Sequence, residues 1–139
     1  MKVGVERFAK AIGYPDELEE GASKAVLAVD DRDIGVSVID DRFRLTATVF
    51  LAPRDGSGDE TIVRLAGYAA GRILKEEAVI AWDPDAESLI LWQEFPADAS
   101  EADLRRFFEV FMASFEWWLD RAEDKTEPAA PMPEYVIMP

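Results

Sequence analysis

The sequence predicts an α+β domain, with one antiparallel sheet and helices packed on it in the order α-β-β-β-α-β-β-α. Three observations carry this. Residues 24–51 fall into short β-branched or alternating runs closed by paired aspartates, which reads as an antiparallel meander. Two longer stretches, one from about Ser57 to Glu77 and one after Ser100, place apolar residues every three or four positions. The chain has 139 residues, the size of a single domain that buries a real core.

Each element has its own warrant. Val3, Val5, Phe8, Ala9 and Ile12 sit at near-helical spacing, and Gly13 ahead of Tyr14-Pro15 stops a short first helix. Asp16 to Glu20 form an acidic connection. KAVLAVDD reads as a strand and turn, with Asp30, Asp31 and Asp33 at the break. In IGVSVIDD, Ile34, Val36 and Val38 share a face, and Asp40-Asp41 make a second tight turn. FRLTATVFLA alternates Phe43, Leu45, Ala47, Val49 and Leu51 against Arg44, Thr46 and Thr48, with Phe50 out of phase. Ser57 and Glu60 have capping-box spacing for the second helix. Its apolar stripe holds Ile62, Leu65, Ala66, Ala69 and Ile73, beside a second stripe of Gly67, Gly71 and Leu74. AVIAWD and LILWQEF form a hairpin in which Trp82 and Trp92 are expected to be partners. Ser100 with Asp103 starts the last helix, whose stripe runs through Leu104, Phe107, Phe108, Phe111, Phe115, Trp118 and Leu119, while Val110 and Trp117 lie on a second face. Residues 1–125 thus form one domain, and 126–139, with four prolines and no helical period, read as an extended tail.

Composition narrows the function. The chain has no cysteine, histidine or asparagine, which excludes disulfides, thiolate or imidazole metal sites and Ser-His-Asp triads. Fifteen Lys and Arg against 29 Asp and Glu give a net charge of −14, which disfavours nucleic acid and anionic membranes. MKVGVERFAK lacks the apolar run of a signal peptide, so a cytoplasmic protein is expected. The aspartate clusters sit where strand patterns break and are read as turns, not as cation sites. No metal, cofactor or enzyme motif is expected. Two glycines inside a soluble helix cost about 1 kcal/mol each relative to alanine, and close approach of another backbone is the simplest compensation.

The residues then resemble a family. Ala11-Ile12-Gly13-Tyr14-Pro15, Gly71-Arg72-Ile73-Leu74, Ser88-Leu89-Ile90-Leu91-Trp92 and Phe111-Met112-Ala113-Ser114-Phe115-Glu116-Trp117-Trp118, in that order, are similar to segments of class I type III secretion chaperones, the Tir-chaperone (CesT-like) family. The resemblance spans roughly residues 3–122. Glu76-Glu77 stand where many members carry Asn, and the proline-rich tail is not a general family feature. The resemblance implies a bacterial cytoplasmic homodimer that binds the N-terminal segment of a secreted effector without nucleotide.

On that reading the dimer interface is expected at Gly67, Tyr68, Gly71 and Leu74. The effector site is expected where a sheet edge meets an apolar groove, at Val5, Phe8, Ile12, Val36, Val38 and Phe50. The first helix is expected to leave Val5, Phe8 and Ile12 only partly covered. The tail residues Tyr135, Val136 and Ile137 are a rival occupant of the same groove. The alternative function is an acidic binding or immunity-type protein that neutralises a folded partner; a third, a carboxylate-dependent hydrolase, lacks the usual proton-transfer residues.

Overall fold

The computed structural model describes residues 3–72 and 77–123, so the proline-rich tail lies outside the described residues. The elements follow the expected order: α1 (Val5–Ala11), β1 (Lys24–Val29), β2 (Arg32–Ile39), β3 (Arg42–Leu51), α2 (Asp59–Arg72), β4 (Val79–Asp83), β5 (Ser88–Pro96) and α3 (Glu101–Glu123). The five strands make one antiparallel sheet in the order β1-β2-β3-β5-β4.

Paired aspartates set the register of the meander. Asp30 and Asp31 have φ of 51° and 65°, and Asp40 and Asp41 have 52° and 63°. Two successive left-handed residues make a type I′ turn, whose twist matches that of the flanking strands. Val29 accordingly faces Arg32, and Ile39 faces Arg42, across two-residue loops. In the β4–β5 hairpin a four-residue loop places Asp83 opposite Ser88, with Asp83 Oδ1 accepting the N–H groups of Asp85 and Ala86 at 3.0 and 3.4 Å. That register corrects the expected tryptophan pair: Trp82 faces Leu89 and Trp92 faces Val79, on opposite sides of the sheet.

The helix ends follow from local chemistry. At the end of α1 the N–H of Tyr14 donates to the Ala9 carbonyl at 2.9 Å and that of Gly13 to Lys10 at 3.1 Å, with Gly13 at φ 78°. This is a Schellman stop. Ser100 Oγ accepts the Asp103 N–H at 3.1 Å and caps α3 as its spacing implies. The second helix departs from expectation. Ser57 donates its N–H to Asp55 Oδ1 at 2.9 Å instead of capping, and the Gly58 carbonyl takes the first helical bond from Ile62 at 3.0 Å. The Ser57 N–H and hydroxyl hold the exposed Asp55 carboxyl below the usual aspartate range.

The core lies between one face of the sheet and α1 and α3. Phe8 sits within 5.8 Å of the rings of Phe43, Phe95 and Phe108. Phe43, Leu45, Leu91, Leu104 and Phe111 are fully buried around it. Arginines tie the layers: Arg7 donates to the carbonyls of Ala97 and Ala99 at 2.7 Å each, and Arg105 donates to that of Ala11 at 3.2 Å. Arg64 of α2 reaches the end of α3, donating to the Arg121 carbonyl at 2.8 Å. The lone side-chain amide, Gln93, is buried on the core face of β5 and donates to Glu77 Oε1 at 3.1 Å.

Candidate binding surface

Strand β1 is one edge of the sheet. Since Val29 flanks a two-residue turn, it, Leu27 and Ala25 direct their backbone groups towards β2. Lys24, Val26 and Ala28 therefore direct theirs outward. The Ala28 N–H is taken by the Tyr14 hydroxyl at 3.2 Å, and among the described residues the edge is open at Lys24 and Val26. The Val26 side chain is 66% exposed. Beside Tyr14, a groove of about 490 Å³ runs between α1 and the acidic connection, lined by Glu6, Ala9, Lys10, Tyr14, Pro15, Asp16, Glu17 and Leu18. An open edge supplies unpaired donors and acceptors, and an adjacent groove supplies side-chain pockets, so an extended segment has what it needs to add as a strand.

The six residues expected to bind a client do not form one accessible surface. Val5 (1% exposed), Phe8 (0%) and Val36 (2%) are in the core, which corrects the expectation that α1 leaves Val5 and Phe8 partly covered. The Phe43, Phe95 and Phe108 rings close over Phe8 because α3 packs against α1. Ile12 and Val38 are half-buried at the margin of that core. Phe50 stands apart, since Val38 pairs with Phe43 and Phe50 lies seven residues further along β3, about 23 Å at strand rise. A register shift between Thr48 and Phe50 places Phe50 opposite Leu89, on the core side, where it packs near Gly58. That bulge is why Phe50 is out of phase in the sequence. Val26 and Tyr14 did not stand out in the sequence. The available signal was an apolar residue on the solvent phase of a strand that alternates Ala25, Leu27 and Val29 inward.

The second helix is attached through one side only. Leu65 is fully buried, and Tyr68 meets Trp117 edge-on with ring centroids 5.6 Å apart, while Arg121 lies 4.1 Å over Trp117. Gly67 is exposed, and a Cβ built there meets nothing within 4 Å. Val63, one turn earlier, is 72% exposed. The glycine at 67 therefore does not serve contact with the protein's own sheet. Of the other residues expected at a dimer interface, Leu74 lies outside the described residues, and α2 extends through Gly71.

Asp30, Asp31, Asp40 and Asp41 are exposed turn residues, and among the described residues no group of three or more acidic side chains is placed to hold a metal ion. Among the described residues no helix is long and apolar enough to cross a membrane.

No family model and no curated protein matches the sequence. Solved structures do match. A chain of the HopA1–SchA chaperone–effector complex superposes with a TM-score of 0.60 at 14% identity, covering 84% of this chain and 90% of that one. A chain of the heterodimeric ExoU–SpcU complex from the type III secretion system of Pseudomonas aeruginosa gives 0.60 at 16% identity, covering 86% and 98%. YbjN from E. coli gives 0.57 at 14% identity, covering 84% and 87%. The α-β-β-β-α-β-β-α domain thus shares its fold with a chain of the HopA1–SchA chaperone–effector complex and with a chain of the ExoU–SpcU complex from a type III secretion system.

Proposed function

We propose that this protein is a type III secretion chaperone. It acts in the bacterial cytoplasm as a homodimer, binds the N-terminal segment of a secreted effector in extended form, and keeps that segment soluble and competent for export. It does so without catalysis or cofactor. The observation that carries this reading is the open edge of β1 at Lys24 and Val26, set beside the groove between α1 and the acidic connection. Main-chain bonds to an edge give affinity with little dependence on sequence, and the groove gives selectivity. The shared fold with chains of chaperone–effector complexes supports the same reading. The net charge of −14 keeps a protein with exposed apolar residues soluble. For the dimer we propose α2, whose exposed stripe of Val63, Gly67 and Ala70 permits close approach of a second helix.

The test begins with the protein that co-purifies from the native cell. Its first residues, as an isolated unstructured peptide, are titrated against the full chain and against Val26→Asp. The peptide alone is expected to bind, and Val26→Asp to weaken it about tenfold or more with an unchanged thermal melt, because the residue is exposed in the free protein. A partner that binds only as a folded domain, with no affinity in the peptide, would replace this reading with that of an acidic protein neutralising a folded target.

A further inference from the structure

The open edge of β1 offers different chemistry on its two sides. Leu27 is buried in the same core as Val5 and Phe8 of α1, and Ala25 and Val29 share its side. Lys24, Val26 and Ala28 therefore direct their side chains to the opposite side. Among the described residues the main-chain groups of Lys24 and Val26 are open, and the Tyr14 hydroxyl, which takes the Ala28 N–H, ends the opening. A segment laid along this edge as a further strand sends alternate side chains to the two sides. One set meets the exposed Val26. The other turns to the side of α1, where the groove of about 490 Å³ lies against Tyr14.

That groove is acidic. Glu6, Asp16 and Glu17 line it against Lys10, and Glu19 and Glu20 continue the connection. The other cations nearby are engaged or face away. Arg7 donates to the Ala97 and Ala99 carbonyls, Arg105 donates to the Ala11 carbonyl, and Lys24 stands on the Val26 side of β1. Arg32 follows Asp30 and Asp31 at the far end of the strand. One Glu6 oxygen accepts the Gly21 N–H at 2.9 Å, while Asp16 and Glu17 are exposed. Carboxylates on their own would be a solvated surface. Here they border a groove that opens beside unpaired main-chain groups, which an extended chain satisfies. The net charge of −14 acts in the same direction as the local charge, so approach and contact favour the same partner.

We propose that the segment taken up at β1 alternates apolar and basic residues, with its apolar set along Val26 and its lysines or arginines in the acidic groove. Ala9, Tyr14, Pro15 and Leu18 in the groove wall suit the aliphatic stems of those cations, and Asp16 and Glu17 meet their charged heads. Lys24 disfavours a base on the Val26 side, which decides which set is basic. This inference rests on the edge-binding reading given above and adds the chemistry of the segment to it.

The probes are fluorescein-labelled peptides of about nine residues, long enough to span the opening. The first alternates valine or threonine with lysine. The second has the same composition with its lysines in one block, and the third alternates with glutamate in place of lysine. Fluorescence anisotropy with the full chain at about 0.15 M salt is expected to show the first binding at least about tenfold tighter than the third and about fivefold tighter than the second. The double variant D16N/E17Q is expected to weaken the first peptide about fivefold or more, with an unchanged circular dichroism melt because both residues are exposed. E116Q/D120N removes the same total charge from exposed positions of α3, about 12 Å or more along the helix from Phe108, and is expected to change binding less than about twofold. A blocked or glutamate peptide that binds as tightly as the first, no binding of the first, or equal losses in the two double variants would overturn the proposal. The edge reading is separated from it with the co-purified client segment. Weakening by Val26→Asp with no response to D16N/E17Q removes this proposal alone, and no response to Val26→Asp removes the edge reading as well.

Discussion

Arg7 shows how a single polar side chain organises this core. It leaves α1 and donates to two carbonyls, of Ala97 and Ala99, in the short connection between β5 and α3. Ala97 is itself buried, so its carbonyl has no ready access to water when the guanidinium is removed. Bonds from a charged donor contribute about 1.5–3 kcal/mol each in favourable settings, and orphaned buried acceptors cost a similar amount. Arg7→Met keeps most of the aliphatic stem and loses only the donors. It is expected to lower the unfolding free energy by about 3 kcal/mol or more, read from urea denaturation at unchanged slope. Arg105→Met removes a single bond from an exposed residue and is expected to cost less than half as much. Equal losses for the two would mean that stem packing, not the paired bonds, is what Arg7 contributes. The same scale explains the failed expectation at Val5 and Phe8. A short helix of seven residues looks too small to be sealed, but four phenylalanines from α1, β3, β5 and α3 converge on one point, and no local pattern announces that convergence.

At the scale of elements, the two aspartate pairs determine where the strands turn and which side chains face the core. Non-glycine residues in the left-handed region are strained, and aspartate tolerates it better than most. Asp41 occupies the second left-handed position of its turn, where glycine is preferred. Asp41→Gly is therefore expected to raise stability by up to about 1 kcal/mol, and Asp41→Ala to lower it, in thermal melts monitored by circular dichroism. A loss of stability in Asp41→Gly would show that the carboxylate, not the backbone, holds the turn. The meander was legible from sequence because turn chemistry and alternation agree over residues 24–48. Legibility ends where a single inserted residue changes the phase. The bulge before Phe50 turns that ring to the core side, and the four-residue loop before Ser88 separates Trp82 from Trp92. The cap of α2 was misread for a similar reason: Ser57 has the right spacing, but Asp55 captures its N–H first.

The molecule as a whole must reconcile exposed apolar surface with a charge of −14, and the arrangement of α2 is where that matters most. This helix is anchored to α3 by Leu65, by the Tyr68–Trp117 contact and by the Arg64 bond to the Arg121 carbonyl. Its outward stripe of Val63, Gly67 and Ala70 has no cover among the described residues. Glycine in mid-helix weakens the helix by about 1 kcal/mol relative to alanine, and among the described residues nothing packs near Gly67 to offset that cost. The sequence alone could not separate a glycine that meets its own sheet from one that meets a second copy, since both produce the same spacing. The open space around Gly67 makes the two separable by experiment. Gly67→Leu has room in the protomer and replaces a poor helix former by a good one, so the protomer's melt is expected to stay level or rise. Across a two-fold axis of close-packed α2 helices, the same side chains collide, and overpacking of about 1–3 kcal/mol weakens association by about fivefold to 150-fold. Light scattering over a concentration series is expected to show a dimer for the native chain and a shift towards monomer for Gly67→Leu. A native chain that is already monomeric at micromolar concentration, or a Gly67→Leu dimer of undiminished strength, would remove α2 from the interface and leave its glycines to be explained by some other contact.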